Sequence, residues 1–338
     1  MIGQDARDVE RKVVAILKVL ASESRPLGGT LIARRLRDYG FTLSDRAVRY
    51  HLKIMDERGL TRASDGRGGR SITPLGLEEL KDALVGDKVG LVISKIELLA
   101  YQTTFNPRTG KGEVPINTTL FPRESFPQAL EAMADTFRAG LCVSDLIAVI
   151  GAGKRIGEMT VPEEMIGMAT VCSIVVNGSL LKVGIPIDSR FGGLMEVRGG
   201  EPVRFVELVE YAGSSLDPSE IFITGRMTSV ASATEKGDGK ILANFREIPA
   251  LCRSEAERVV RRLRRWNLGG LLVMGRVSEP LCEIAVAVNK VGVVLLGGLN
   301  PVAAAVESGI QGVNHAMSGV VEYQSLRSFW DVLKEYKR

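Results

Sequence analysis

Residues 44–59, SDRAVRYHLKIMDERG, constrain this chain more than any other stretch, because one helical register sorts them into two unlike faces. Val48, Leu52 and Met55 recur at i, i+4 and i+7 and predict a face packed on a core. Arg46, Arg49, Tyr50 and Lys53 occupy i, i+3, i+4 and i+7 on the far side, where they are free to enter a groove. The planar fork of an arginine suits a guanine edge, which it can bond bidentately. His51, three residues after Val48, falls beside the core and reads as a packed residue.

The flanking residues complete a unit. Upstream, Val13, Ile16, Leu17 and Leu20 give one apolar helix face, broken by residues 22–29 with Pro26 and a glycine pair. Thr30 is expected to cap a short helix in which Ile32, Ala33 and Leu36 point inward, with Gly40 as its left-handed end. Ser44 is a second expected N-cap. Beyond Gly59, residues 60–64 and 70–73 read as two short strands around Asp65-Gly66-Arg67-Gly68-Gly69, which leaves Arg62, Arg67 and Arg70 to meet a phosphate backbone or minor groove. Turn, second helix and basic hairpin in this order predict a winged helix-turn-helix that reads double-stranded DNA. Two alternatives share the pattern: a three-helix domain with an ordinary solvated basic face, and a winged helix that binds RNA. Asp45, Asp56 and Glu57 dilute the basic face, which favours modest affinity per subunit and hence a dimer on two half-sites.

Charge distribution agrees. The first 80 residues carry 15 Lys and Arg against 11 Asp and Glu, whereas the remaining residues carry 29 of each, so the whole excess lies at one end. No apolar run approaches the roughly 18 uncharged residues of a bilayer span, and residues 1–12 are polar rather than signal-like, so a cytoplasmic protein without a membrane partner is expected. Cys142, Cys172, Cys252 and Cys282 are far apart and accompany only two histidines, which indicates neither a metal site nor a disulfide framework.

The division expected from these features is a mostly helical DNA-binding domain over residues 1–84 and a larger α/β domain over 85–338. Strand-like stretches in the second are 146–150, 220–224, 270–274, 292–296 and a pair within 171–187. There, Asn177-Gly178 between apolar runs predicts a hairpin turn. Helix-like stretches are 89–100, 127–140, 254–267 and 301–308. A faint internal echo relates Gly110-Lys111-Gly112-Glu113-Val114 and Asn117 to Gly237-Asp238-Gly239-Lys240-Ile241 and Asn244.

Glycine motifs invite chemistry. Gly151-Ala152-Gly153-Lys154-Arg155 lacks the earlier glycine and the Ser or Thr of a phosphate loop, and residues 151–157 only approximate a dinucleotide turn. They support the alternative of a nucleotide-using enzyme fused to a DNA-binding module. Gly297-Gly298 lies between a strand and a helix whose first amides could hold a carboxylate. No catalytic set stands out, so a ligand-sensing domain is the better reading than an enzyme.

Five segments carry a resemblance: RAVRYHLKIMDERGL, TTFNPRTGKGEVPIN, VCSIVVNGSLLKVGIPI, YAGSSLDPSEIFI and VGVVLLGGLNPVAAAVESGI. In this order, and over nearly the whole chain, they resemble the NrpR-type repressors of nitrogen assimilation. The resemblance implies a winged helix followed by one regulatory domain, and a homodimer that represses from a DNA operator until 2-oxoglutarate, an allosteric effector rather than a cofactor, releases it. It also implies association with a second NrpR-domain protein or a PII-type signal protein. Cys172 matches the characteristic cysteine of that family and is the first candidate to line the effector pocket. Lys182 and Arg190 could meet the carboxylates, and Asn300 with the Gly297 and Gly298 amides offers a second anion contact.

Overall fold

The computed structural model describes residues 2–23, 25–64, 69–82, 90–157 and 159–337. The chain forms two compact units, Met1–Val89 and Gly90–Arg338. The expected boundary at residue 84 falls among 83–89, outside the described residues.

The first unit is built from α1 (Ile2–Ala21), α2 (Gly29–Arg35), α3 (Asp45–Glu57), a hairpin of β1 (Thr61–Ala63) and β2 (Arg70–Ile72), and α4 (Pro74–Asp82). Its core is the one the apolar spacing predicts: Val13, Ile16, Leu17 and Leu20 of α1 meet Ile32, Leu36, Val48, Leu52 and Met55. Ser44 caps α3 by accepting from the Ala47 amide at 3.2 Å. Gly40, with φ of 77°, ends the turn that follows α2. Thr30 is not a cap. Gly28 takes that position without a side-chain bond, and Thr30 Oγ1 instead donates to Asp45 at 3.3 Å, which ties the start of α2 to the start of α3. Leu27 pairs with Arg70 by reciprocal backbone bonds of 3.0 and 2.9 Å, an isolated bridge at the edge of the hairpin.

The second unit holds two five-stranded sheets, in which every strand pair is antiparallel. After α5 (Leu91–Gln102) come β3 (Glu113–Pro122), α6 (Phe126–Arg138), β4 (Leu146–Gly151), a small hairpin of β5 (Arg155–Ile156) and β6 (Met159–Thr160), β7 (Met165–Val171), α7 (Ile174–Leu181) and β8 (Asp188–Arg198). Then follow β9 (Glu201–Glu210), α8 (Pro218–Thr224) and α9 (Val230–Lys236). The earlier series is then repeated as β10 (Gly239–Pro249), α10 (Arg253–Arg264), β11 (Leu271–Val277), β12 (Lys290–Leu296), α11 (Asn300–Glu307) and β13 (Val313–Glu322), with β14 (Arg327–Ser328) and α12 (Phe329–Tyr336) closing the chain.

The echo between residues 110–117 and 237–244 therefore marks the start of two structural halves. They exchange strands: β8 of the first half, with β9 beside it, pairs with β10 of the second, and β13 and β14 of the second pair with β3 and β4 of the first. The sheet orders β13-β3-β7-β4-β14 and β11-β12-β10-β8-β9 follow from this exchange. It interlocks the halves, so neither sheet is complete without a strand from the other.

Two sequence expectations fail here for one reason. Residues 171–187 are no hairpin, because β7 ends at Val171 and the chain turns into α7, whose residues 174–180 are all buried. Gly178 serves close packing: a Cβ there would lie 2.3 Å from Thr103 Cβ, so glycine lets α7 approach the end of α5. Likewise residues 220–224 belong to α8, capped by Asp217, which accepts from the Ser219 amide. Short apolar runs carry no period that separates a buried strand from a buried helix, and burial decided.

Candidate functional site

In the first unit α3 presents Arg46, Arg49, Tyr50 and Lys53 to solvent while Val48, His51, Leu52 and Met55 are buried. Tyr50 is 63% exposed and packs edge-on to His51. Arg49 is held by Asp45, 2.8 Å away and one turn earlier, so its guanidinium is oriented along the exposed face. In the hairpin Arg62 is exposed. Arg70 pairs with Asp56 at 3.0 Å, and Thr61 Oγ1 also donates to Asp56, which fastens the hairpin to α3. The third hairpin cation expected from the sequence, Arg67, lies outside the described residues.

In the second unit the two halves meet at their strand-to-helix turns, residues 171–174 and 296–299. The turns are equivalent: the Cys172 amide donates to Pro115 O and the Gly297 amide to Leu242 O, both at 2.8 Å. A Cβ on Gly298 would lie 2.4 Å from Val171 O, so glycine there allows the turns to touch, and one on Gly297 would lie 2.6 Å from Leu242 Cβ, so glycine there lets the second turn pack on β10. The N-terminal ends of α7 and α11 thus flank one small cavity, which Asn117, Cys172, Ser173, Asn244, Arg246, Gly297 and Gly298 help to line. Two helix N-termini give such a place positive potential.

Arg246 dominates it. Only 1% of the residue is exposed, and its guanidinium donates to two hydroxyls, Nη1 to Ser189 and Nη2 to Ser173. Nε has no partner, and among the described residues no carboxylate pairs with Arg246. Burial pulls the pKa of the guanidinium down, yet an arginine keeps its proton at neutral pH. A buried cation satisfied by hydroxyls alone is an expensive arrangement that an anion would relieve. The surrounding groups do not supply that anion. Burial pushes the Cys172 thiol up to about 11 and raises the Asp217 carboxyl above its usual range, which favours the neutral form of each.

The six residues proposed from sequence part company. Cys172, Gly297 and Gly298 line this cavity. Asn300 is buried beneath it, with its amide accepting from Leu242 N at 2.7 Å and donating to Leu242 O at 3.0 Å. Arg190 pairs with the buried Glu247 at 3.1 Å and lines a separate cavity of about 440 Å3. Lys182 caps the far end of α7 and donates to Tyr101 O at 3.2 Å. Sequence reading missed Arg246, whose one visible signal is a lone arginine in a strand otherwise buried almost throughout. The nucleotide motif at 151–157 also fails: it leads from β4 into the hairpin of β5 and β6 and opens no helix for a phosphate.

Comparison with known proteins is consistent with this architecture. NrpR regulatory domains NRD1 and 2 match residues 89–328, and the Ribonuclease R winged-helix domain matches residues 14–80. The global nitrogen regulator NrpRI of Methanosarcina mazei is 38% identical over 319 residues, which cover 94% of this chain and 98% of that protein. The chain belongs to the NrpR family. The global nitrogen regulators NrpR of Methanococcus maripaludis and Methanocaldococcus jannaschii are 34% and 32% identical, and this chain spans about half of their length (51% and 55%). A crystal structure of a nitrogen repressor-like protein from Methanococcus jannaschii superposes with a TM-score of 0.60 at 26% identity, covering 71% of this chain and 98% of that one. As an NrpR-family protein the chain is thus a winged-helix unit joined to a larger α/β regulatory unit with two sheets, and its relatives are named global nitrogen regulators. Among the described residues no helix is long and apolar enough to cross a membrane.

Proposed function

We propose that this NrpR-family protein represses nitrogen-assimilation genes as a homodimer on duplex DNA and is released by 2-oxoglutarate. The α3 face with Arg46, Arg49, Tyr50 and Lys53 reads base edges in the major groove, while Arg62, Arg67 and Arg70 of the hairpin meet the backbone. Support for this reading comes from the separation of the two faces of α3 and from the names of the relatives.

One observation carries the effector reading: the buried guanidinium of Arg246, short of a carboxylate partner, between two helix N-termini and beside Cys172. A carboxylate of 2-oxoglutarate accepts from the Arg246 guanidinium, and the Gly298 amide provides a further donor, the Gly297 amide being bonded to Leu242 O. The cavity measures about 20 Å3, room for about one water, so a dicarboxylate enters only if the interlocked halves move apart. Such a ligand binds the opened arrangement in preference to the closed one and thereby shifts the balance between them. A coupling of about 1–3 kcal/mol changes operator affinity roughly 5- to 150-fold.

Fluorescence anisotropy of a labelled inverted-repeat operator, near cellular salt, is the deciding measurement. Addition of 2-oxoglutarate should weaken binding by a factor in that range. Operator affinity that stays constant up to millimolar 2-oxoglutarate would remove the effector assignment, and failure to bind duplex DNA at all would remove the regulator assignment.

A further inference from the structure

At the other end of α7, roughly 13 Å along the helix from Ser173, lies a cavity of about 330 Å3 with a different character. Three segments each bring one cation to it: Arg108 from the loop before β3, Lys182 from the end of α7 and Arg262 from α10. No carboxylate lines it. Among the described residues none of the three cations has an ion-pair partner, and Lys182 Nζ is held only by Tyr101, donating to its carbonyl at 3.2 Å and lying over its ring. The acids of α10 are turned elsewhere, Glu255 to Arg258 and Glu257 to Arg253 and Arg261.

Ser179 also faces this cavity. The residue is 4% exposed and its hydroxyl has no hydrogen-bond partner, although a buried hydroxyl ordinarily finds one. Part of the lining is apolar. Phe105 is held against the rings of Trp266 and Tyr323, and Trp266 Nε1 donates to Pro107 O at 2.8 Å, which fixes the loop that carries Arg108. Val183 and Val259 complete that part. The site is therefore preformed, and its volume lies within the range of small-molecule pockets.

We propose that this cavity binds a small phosphorylated molecule with an apolar or aromatic moiety, at a site distinct from the central pocket. A phosphate carries close to two charges and three oxygens that point in different directions. It can meet cations converging from three segments and a hydroxyl at once, which a planar carboxylate with two oxygens cannot. The apolar wall of Phe105, Val183 and Val259 then receives the remainder of the molecule. The inference stands independently of the effector reading, because it shares no lining residue with the pocket of Arg246.

Calorimetry of the full chain with ADP and with pyrophosphate, at about 0.15 M salt, tests it. Both should bind, ADP the more tightly because it alone uses the apolar wall. Arg262→Gln, or Arg108→Gln with Lys182→Gln, should weaken ADP at least 10-fold, and Ser179→Ala by a few-fold. Circular dichroism and unchanged urea unfolding would show these variants to be folded, and Arg262→Lys should retain part of the affinity. Absence of ADP and pyrophosphate binding to the wild-type chain at millimolar concentration would overturn the proposal. So would binding that the variants leave unchanged, or displacement of ADP by duplex DNA that persists after Arg46, Arg49 and Lys53 are replaced, since the cavity would then serve the DNA backbone.

Discussion

Thr119 and Arg246 occupy the same place in the two halves of the regulatory unit, two residues after Asn117 and Asn244 respectively, and each faces a polar residue on the exchanged strand. Thr119 sits opposite Asn314 and bonds its side chain at 2.9 Å, and Arg246 sits opposite Ser189 and bonds its hydroxyl. One half thus closes with a neutral, mutually satisfied pair, and the other with a buried cation whose Nε is unsatisfied. The turns differ in the same sense. Cys172-Ser173 presents a thiol and a hydroxyl, whereas Gly297-Gly298 presents only backbone. A duplicated scaffold supplies symmetry of position, and function arises where the chemistry of equivalent positions diverges.

The sharpest way to break this comparison is to neutralise one member. Arg246→Gln should weaken 2-oxoglutarate at least about 30-fold in calorimetry, since truncating one partner of a buried charged pair costs about 2–5 kcal/mol. The same change should leave the stability of the free protein in urea unchanged or raised, because it removes a buried charge. Thr119→Ala should alter effector affinity less than about 3-fold. Equal effects from the two substitutions would refute the asymmetry.

The helices that follow the two turns allow a second comparison. Gly178 in α7 and Ala303 in α11 are equivalent, and both are buried. Gly178→Ala should cost about 1–3 kcal/mol in urea unfolding, because the new methyl overlaps Thr103. Ala303→Gly should cost about 1 kcal/mol through helix propensity alone.

The contrast between the two units predicts different consequences for their arginines. Arg49→Ala on the exposed face of α3 should lower discrimination against a wrong base pair by about 1–3 kcal/mol and leave 2-oxoglutarate binding intact. Arg62→Ala should weaken all duplexes alike and reduce the salt dependence. Competition binding with operator variants separates these outcomes.

The smallest effect concerns Cys172. A thiol ordinarily ionises near 9, and burial moves this one up to about 11. Between these values the unfolded chain has released a proton that the native chain retains, so this thiol makes stability fall as pH rises, by at most about 1.4 kcal/mol per pH unit. Cys172→Ala should therefore show a shallower loss of urea stability between pH 9 and 11 than the wild type.

Much of the first unit was legible in the order of residues alone. The caps at Ser44 and Gly40, the two faces of α3 and the hairpin beyond it depend on contacts within a few residues, and the spacing of side chains reports such contacts directly. In the second unit, the amphipathic helices α6 and α10 and the strand β12 were legible for the same reason. The buried α7 was not. Local preference of Asn177-Gly178 for a turn gave way to the packing of α7 against Thr103.

What the sequence determined by itself is the period of each amphipathic element, since a residue three or four places away along a helix is always a neighbour. What only the tertiary structure decided is which distant residues share a cavity. Ser173, Arg246 and Gly298 converge because each half gives up strands to the other, and no local spacing encodes that exchange. Lys182 and Arg190, close to the same residues along the chain, are carried to separate cavities: α7 leads Lys182 away from the turn where the halves meet, and Arg190 is the extra residue of a bulge in β8, left without a partner on β10 between Ser189 and Phe191.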